Sequence, residues 1–197
     1  MERDKKECIL RAACKAFARF GFKKASVEEI ARDAGVAKGT VYLACDSKED
    51  LYYQALHREV RAWVAETARL IDPRQPADRL LMNASLAGID FLEQRPLVKE
   101  LFYRQDALQL PVWTERLDEL RTLGRANVVE ILKLGVKQGI FRKALDVEEV
   151  AELLHDLQIA TYAFHNRGPD RGARLARRFK AGFDLVLNGM LAKPAGA

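Results

Sequence analysis

Apolar residues recur along this chain at intervals of three and four, and nowhere do polar and apolar residues alternate for long enough to build a sheet. That spacing admits helices and little else, so the expected fold is all-α. The chain has 197 residues, 49% of them hydrophobic and 31% charged, an ordinary balance for a folded protein. It is long enough for a small domain joined to a larger one.

The first helix is expected over about residues 4–20, with Asp4 and Glu7 as a cap pair and Ile9, Ala13, Phe17 and Phe20 as its apolar stripe. Gly21 ends it, and Phe22 can fold back on the last turn. Ser26-Val27-Glu28-Glu29 has the form of a capping box, with Ser26 as N-cap and Glu29 at the third helical position. The helix it starts turns Val27, Ile30 and Ala31 inward. Gly35 breaks that helix, Val36 anchors the turn, and a short third helix follows over about residues 37–44. Ser47 and Asp50 form a second capping box before a helix that runs to about residue 71. Asp72-Pro73-Arg74-Gln75-Pro76 reads as a linker. Further helices are expected near residues 77–94, 96–105, 112–138, 147–166 and 171–192, with Asp146 and Glu149 capping the fourth of these.

Three helices within 45 residues, with a glycine turn between the second and third, outline a helix-turn-helix over about residues 26–45. If Val41 faces the core, Cys45 lies on the same side at 100° per residue, Gly39 and Leu43 point the opposite way, and Thr40 and Tyr42 flank them. A helix this short with glycine on its open face buries little, which suits a face that enters a major groove. Gly39 lets backbone approach closely, Thr40 and Tyr42 offer hydroxyls to phosphates, Lys38 supplies charge, and Leu43 can meet a thymine methyl. Lys48 stands at the start of the fourth helix, where free N–H groups and the helix dipole already favour an anion. The DNA-binding residues expected are thus Ser26, Val27, Ala37, Lys38, Gly39, Thr40, Tyr42, Leu43 and Lys48. Charge agrees: residues 1–48 hold 11 Lys and Arg against 7 Asp and Glu, which places +4 of the net +5 in the first quarter.

Phe17-Ala18-Arg19-Phe20-Gly21-Phe22, Ser26-Val27-Glu28-Glu29-Ile30-Ala31, Ala34 to Tyr42 and Ser47-Lys48-Glu49-Asp50-Leu51 together resemble the DNA-binding domain of the tetracycline-repressor (TetR) family. The resemblance covers about residues 4–60; beyond it only the helix pattern and Gly139-Ile140-Phe141-Arg142 are similar. It implies an all-α homodimer with an N-terminal helix-turn-helix domain (residues 1–50) and a C-terminal helical ligand-binding and dimerisation domain (residues 51–197). It also implies repression of a palindromic operator in double-stranded DNA, relieved by a small-molecule effector. One departure stands out. Where the family usually carries an aromatic or basic residue, then His or Tyr, then a core Phe, this chain has Leu43, Ala44 and Cys45. Losing a buried ring at such a place costs on the order of 2–4 kcal/mol unless neighbours fill the space.

Downstream, Phe91, Phe102, Tyr103, Trp113, His155, Tyr162 and Phe164 are candidates to line an effector cavity. Val150, Leu154, Leu157 and Thr161 form one apolar stripe, and Leu175, Phe179, Phe183, Val186 and Met190 another; these are the expected dimer interface, the alternative being burial within one subunit. Three cysteines, all in the first 45 residues, point to reduced thiols, and Cys8 and Cys14 fall about 240° apart on a helix, a poor geometry for a disulfide. A redox-sensing role for Cys45 competes with a plain buried thiol. Three histidines and the cysteines show no metal-ligand spacing. No apolar run approaches the roughly 18 residues a membrane span needs, and the charged N-terminus lacks a secretory pattern, so the cytoplasm is the expected compartment. No nucleophile elbow, phosphate loop, dinucleotide fingerprint or HExxH motif is present, so no enzymatic role and no cofactor are expected. The remaining alternative is a family member with impaired or atypical DNA binding that acts through ligand or protein contacts, which Leu43-Ala44-Cys45 motivates.

Overall fold

The computed structural model describes residues 2–103, 114–165 and 171–191. Trp113 lies outside the described residues, as do the side chains of Phe102, Tyr103, Tyr162, Phe164 and Leu175. Among the described residues the fold is all-α: α1 Glu2–Lys24, α2 Val27–Asp33, α3 Lys38–Ala44, α4 Lys48–Ala68, α5 Ala77–Glu93, α6 Pro96–Tyr103, α7 Thr114–Lys137, α8 Val147–His165 and α9 Arg171–Met190. A single antiparallel bridge pairs Phe141 with Leu191.

The described residues form two compact units, one of Met1–Ala62 with Glu93–Leu120 and the other of Trp63–Leu92 with Arg121–Ala197. Within the first unit α6 returns from the middle of the chain to pack on α1.

In the first unit Ile9, Ala13 and Phe17 of α1, Ile30 and Ala31 of α2, Val41 of α3 and Leu51, Ala55 and Leu56 of α4 are buried together. Phe17 meets Tyr52 edge-on with ring centroids 4.9 Å apart, and Phe22 turns back to within 6.3 Å of Phe17. Gly21 makes that reversal at φ 73°, in the range that disfavours a side chain. Phe20 departs from the expected stripe: it is exposed, with the Arg19 guanidinium 5.0 Å above its ring. Asp4 lies inside α1, which starts at Glu2, and so does not stand at the N-cap position. Glu7 instead accepts from Arg58 Nε and Nη2 at 3.0 and 2.7 Å. Arg58 also donates to Glu59, which in turn accepts from Arg95 at 3.0 Å, just ahead of α6.

In the second unit Leu80, Leu81, Ile131, Leu132, Phe141, Leu154, Phe179, Phe183 and Met190 make one core. Gly139 (φ 73°) turns the chain after α7 so that Phe141 passes back beneath it. There Gly135 is bare against the ring: a Cβ on it would lie 2.1 Å from Phe141 Cδ2. The expected linker at residues 72–76 is held in place. Gln138 Oε1 accepts from Ala77 N at 2.9 Å, and its amide donates to the carbonyls of Pro73 and Gln75 at 3.2 and 3.0 Å.

This core also redistributes the stripes expected to form a dimer. Leu154, Phe179, Phe183 and Met190 are spent inside the unit, and Val150 and Val186 pack against it half-buried. Thr161 is half-buried and Leu157 is exposed. The physical reason is that α8 and α9 pack on each other, so their most apolar faces are consumed within one chain. Among the described residues from α8 onward, the large apolar side chains left outside are Leu153, Leu157, Leu185 and Leu191.

Candidate nucleic-acid interface

The helix-turn-helix is assembled by a few buried residues on very short helices. Val27, Ile30 and Ala31 pull α2 onto α1, and Val41 alone among the residues of α3 is buried. Between them Gly35 takes φ 68°, and Val36 N closes the turn on Ala31 O at 3.0 Å. Cys45 follows Val41 into the interior as expected, and its thiol donates to the Val41 carbonyl at 3.1 Å. Burial pushes that thiol up to about 11, and Cys14 up to about 12. At neutral pH both are protonated and poorly nucleophilic, which argues against a sensing role for Cys45.

The opposite side of α3 is open. Leu43 is 90% exposed and Tyr42 45%. A Cβ on Gly39 would meet nothing within 4 Å, so no neighbour among the described residues requires glycine there. Ala37, Lys38 and Thr40 complete the strip along its N-terminal half, Ala37 and Lys38 exposed and Thr40 half-buried. Val27, expected both in the core and at the interface, has its side chain buried in the core.

Ser26 behaves differently from its expected cap. No side chain caps α2; the Ser26 hydroxyl donates to Glu28 Oε2 at 2.8 Å, and Glu29 is not engaged as the capping-box partner. Lys38 donates to the other oxygen of the same carboxylate and lies 5.9 Å from the centre of the Tyr42 ring. The Lys38 ammonium first, then the Glu28 backbone N–H and the Ser26 hydroxyl, hold the Glu28 carboxyl down at about 2. Glu28 went unmarked in the sequence because helix-start motifs give it no role; its ten-residue separation from Lys38 closes only when the glycine turn brings α3 against α2.

The second capping box does form on its serine side: Asp50 N donates to Ser47 Oγ at 3.0 Å. The Asp50 carboxylate reaches Asp46 N (3.3 Å), Gln54 Nε2 (2.7 Å) and Arg116 Nη2 (3.1 Å). Gln54 also donates to the Ala44 carbonyl at 3.3 Å. The end of α3 is therefore tied through α4 to the first turns of α7. Lys48 donates to the Lys23 carbonyl at 3.3 Å, with its ammonium 4.9 Å above Phe22. This fixes a positive charge where the N-terminus of α4 adjoins the α1–α2 turn.

In the second unit residues of α4, α5, α7 and α8 line a cavity of about 20 Å³, room for one water. Trp63, Thr67, Leu81, Ala84, Ser85, Gly88, Gly124, Asn127, Val128, Ile131 and Gln158 line it. No charged side chain is among them. Asn127 donates to the Val64 carbonyl and to Thr67 Oγ1 at 2.7 and 2.6 Å, Trp63 Nε1 donates to Gly88 O at 3.1 Å, and the buried Ser85 hydroxyl has no partner. Of the residues expected to line a pocket, His155 is beside it, its Nε2 3.1 Å from where a Gly124 Cβ would stand. Burial pushes the His155 imidazole down to about 4, so it is neutral. Phe91 is half-buried and is not in the lining. The actual lining is marked in the sequence by small and polar residues at helical spacing, Leu81-Ala84-Ser85-Gly88 on α5 and Gly124-Asn127-Val128-Ile131 on α7, rather than by aromatics.

Residues 9–55 match the family model described as bacterial regulatory proteins, tetR family. Over 161 residues the chain is 30% identical to the HTH-type transcriptional repressor KstR2 of Rhodococcus jostii, covering 75% of this chain and 73% of that protein. It is 27% identical over 172 residues to the fatty acid metabolism regulator protein of Bacillus subtilis, covering 82% and 85%. In fold it is similar to the crystal structure of FadR from Bacillus subtilis in complex with stearoyl-CoA, with a TM-score of 0.72 at 21% identity over 93% of this chain and 98% of that one.

Proposed function

Because the chain belongs to the tetR family of bacterial regulatory proteins, we propose that it is a cytoplasmic repressor whose homodimer reads a palindromic operator with paired α3 helices and is released by a small-molecule effector. One observation carries the reading: α3 spends a single residue on its core while Gly39, Tyr42 and Leu43 are left open. Gly39 stands in the first turn of α3, and no neighbour among the described residues requires it to lack a side chain. A bare backbone on an open face suits a groove floor that comes close to it. Leu43 then faces thymine methyls, Thr40 and Tyr42 face phosphates, and Lys48 and the α4 N-terminus grip the backbone beside them. In a dimer two such helices reach successive major grooves about 34 Å apart.

Dimerisation is assigned to the outer faces of α8 and α9. Leu153 and Leu157 are one turn apart on α8 and exposed, and Leu185 is 77% exposed on α9. On either side of Leu185, Gly182 and Gly189 have nothing within 4 Å of a Cβ, so a second copy can approach the helix backbone closely.

The effector is assigned to the cavity of the second unit. Its lining is apolar with neutral hydrogen-bonding groups, so the part of the ligand that enters is uncharged. An acyl thioester whose charged portion stays outside fits that lining, and stearoyl-CoA, bound by FadR of Bacillus subtilis, is the first compound to test. At its present volume the cavity holds no more than a water; a ligand that widens it selects a second state. α7 carries both Arg116, which pairs with Asp50, and the cavity residues Gly124, Asn127 and Ile131, so it is the segment through which that change is passed on. Selection of bound duplexes from a random pool tests the reading: a repressor of this kind recovers an inverted repeat, and acyl-CoA lowers its affinity. Recovery of no preferred sequence at low salt contradicts it.

A further inference from the structure

We propose that Glu28 is a specificity-determining residue of the reading face: it keeps the Lys38 ammonium off the phosphate backbone until a base amino group takes its place. The inference rests on the operator-binding function proposed above. Both oxygens of Glu28 are occupied, one by Ser26 Oγ at 2.8 Å and the other by Lys38 Nζ. Neither member of the ion pair serves the core, since the Lys38 and Glu28 side chains are 51% and 62% exposed. The pair also uses Ser26, which is thereby withdrawn from capping α2. What the arrangement does is place a carboxylate beside the strip that faces a polyanion, and cancel the one positive charge that α3 itself carries.

The exchange follows from donor counting. Lys38 has three N–H groups and Glu28 is acceptor-only when ionised. A phosphate that draws Lys38 away leaves Glu28 facing anionic DNA without the cation that had paired with it. On a non-cognate duplex nothing compensates that repulsion. Where the base edge within reach is cytosine, its N4 amino group donates to Glu28, and Lys38 is released to a phosphate or to a guanine. Since its carboxyl is held at about 2, Glu28 stays ionised wherever the protein is folded near neutrality, and the discrimination does not vary with pH there.

The test is a double-mutant cycle on the full-length protein: wild type, Glu28→Gln, Lys38→Ala and both together. Each is titrated with the selected duplex and with a scrambled one across a range of salt. Glu28→Gln is expected to bind the scrambled duplex about three- to tenfold tighter at low salt, and its log–log salt slope should steepen by about 0.9, one extra phosphate neutralised. Its preference for the selected duplex should shrink, and the selected half-site should lose its requirement for a G·C pair. In the Lys38→Ala background the same substitution should leave the slope where Lys38→Ala put it. Both positions are exposed, and thermal melts serve as the folding check. If Glu28→Gln leaves the scrambled duplex at wild-type affinity and slope, or changes the slope equally with and without Lys38, the inference is overturned while operator binding stands. A wild-type protein with no salt slope on either duplex overturns the regulator reading and this inference with it.

Discussion

At the scale of single residues, His155 shows most directly how burial becomes a measurable property. It is enclosed by α7 and α8, and desolvation holds its imidazole at about 4. The unfolded chain binds a proton near pH 6.5, so between about 6.5 and 4 the unfolded state carries the extra proton and stability falls as pH falls. The contribution is complete above about 6.5 and amounts to roughly 3 kcal/mol when lost. Chemical denaturation at a series of pH values should show this decline, and His155→Leu should flatten it; an unchanged profile in the variant would assign the decline to other groups. His155 was expected at a cavity, and its burial beside Gly124 places it next to one. The polar partners of surface residues were not legible in the sequence. Ser26 and Lys38 each had an obvious local role and Glu28 had none, yet the contact that joins the three depends on where the α2–α3 turn delivers Lys38. Short-range motifs favour the local hydrogen bond, and here a long-range ion pair displaced it.

At the scale of elements, the apolar period located nearly every helix, with ends off by a few residues at most, because three-and-four spacing reports burial directly. It could not say which burial. The stripes on α8 and α9 looked suited to a partner, but Leu154, Phe179, Phe183 and Met190 meet one another and α7 inside one chain. Periodicity does not distinguish a neighbour in the same subunit from one in the next. Glycines were ambiguous for a related reason. Gly135 is required by packing, since a Cβ would fall 2.1 Å from the Phe141 ring, whereas a Cβ on Gly39 meets nothing. Gly135→Ala should therefore destabilise the protein by about 1–3 kcal/mol despite its better helix propensity. Pairing it with Phe141→Leu should recover part of that loss relative to the sum of the two single changes. A Gly135→Ala protein as stable as wild type in urea titration would mean that the ring can move aside freely.

At the scale of the whole molecule, the account joins a DNA-reading surface in one unit to a closable cavity in the other, doubled by a two-fold. The dimer has its own check. Leu185 is 77% exposed, so Leu185→Glu should leave the helical content of each chain intact and convert dimer to monomer in sedimentation; a dimer that persists would move the interface elsewhere. By linkage, any effector that weakens DNA binding must itself bind more weakly to the DNA complex by the same factor. The claim on which all of this depends is that the open strip of α3 lies in a groove. Amide chemical shifts recorded as a selected duplex is added to the full-length protein test it at the residues concerned. The account predicts large, saturable shifts at Gly39, Thr40, Tyr42 and Leu43, with the outer faces of α8 and α9 unmoved. Saturable binding of the duplex that leaves those four amides in place would contradict it.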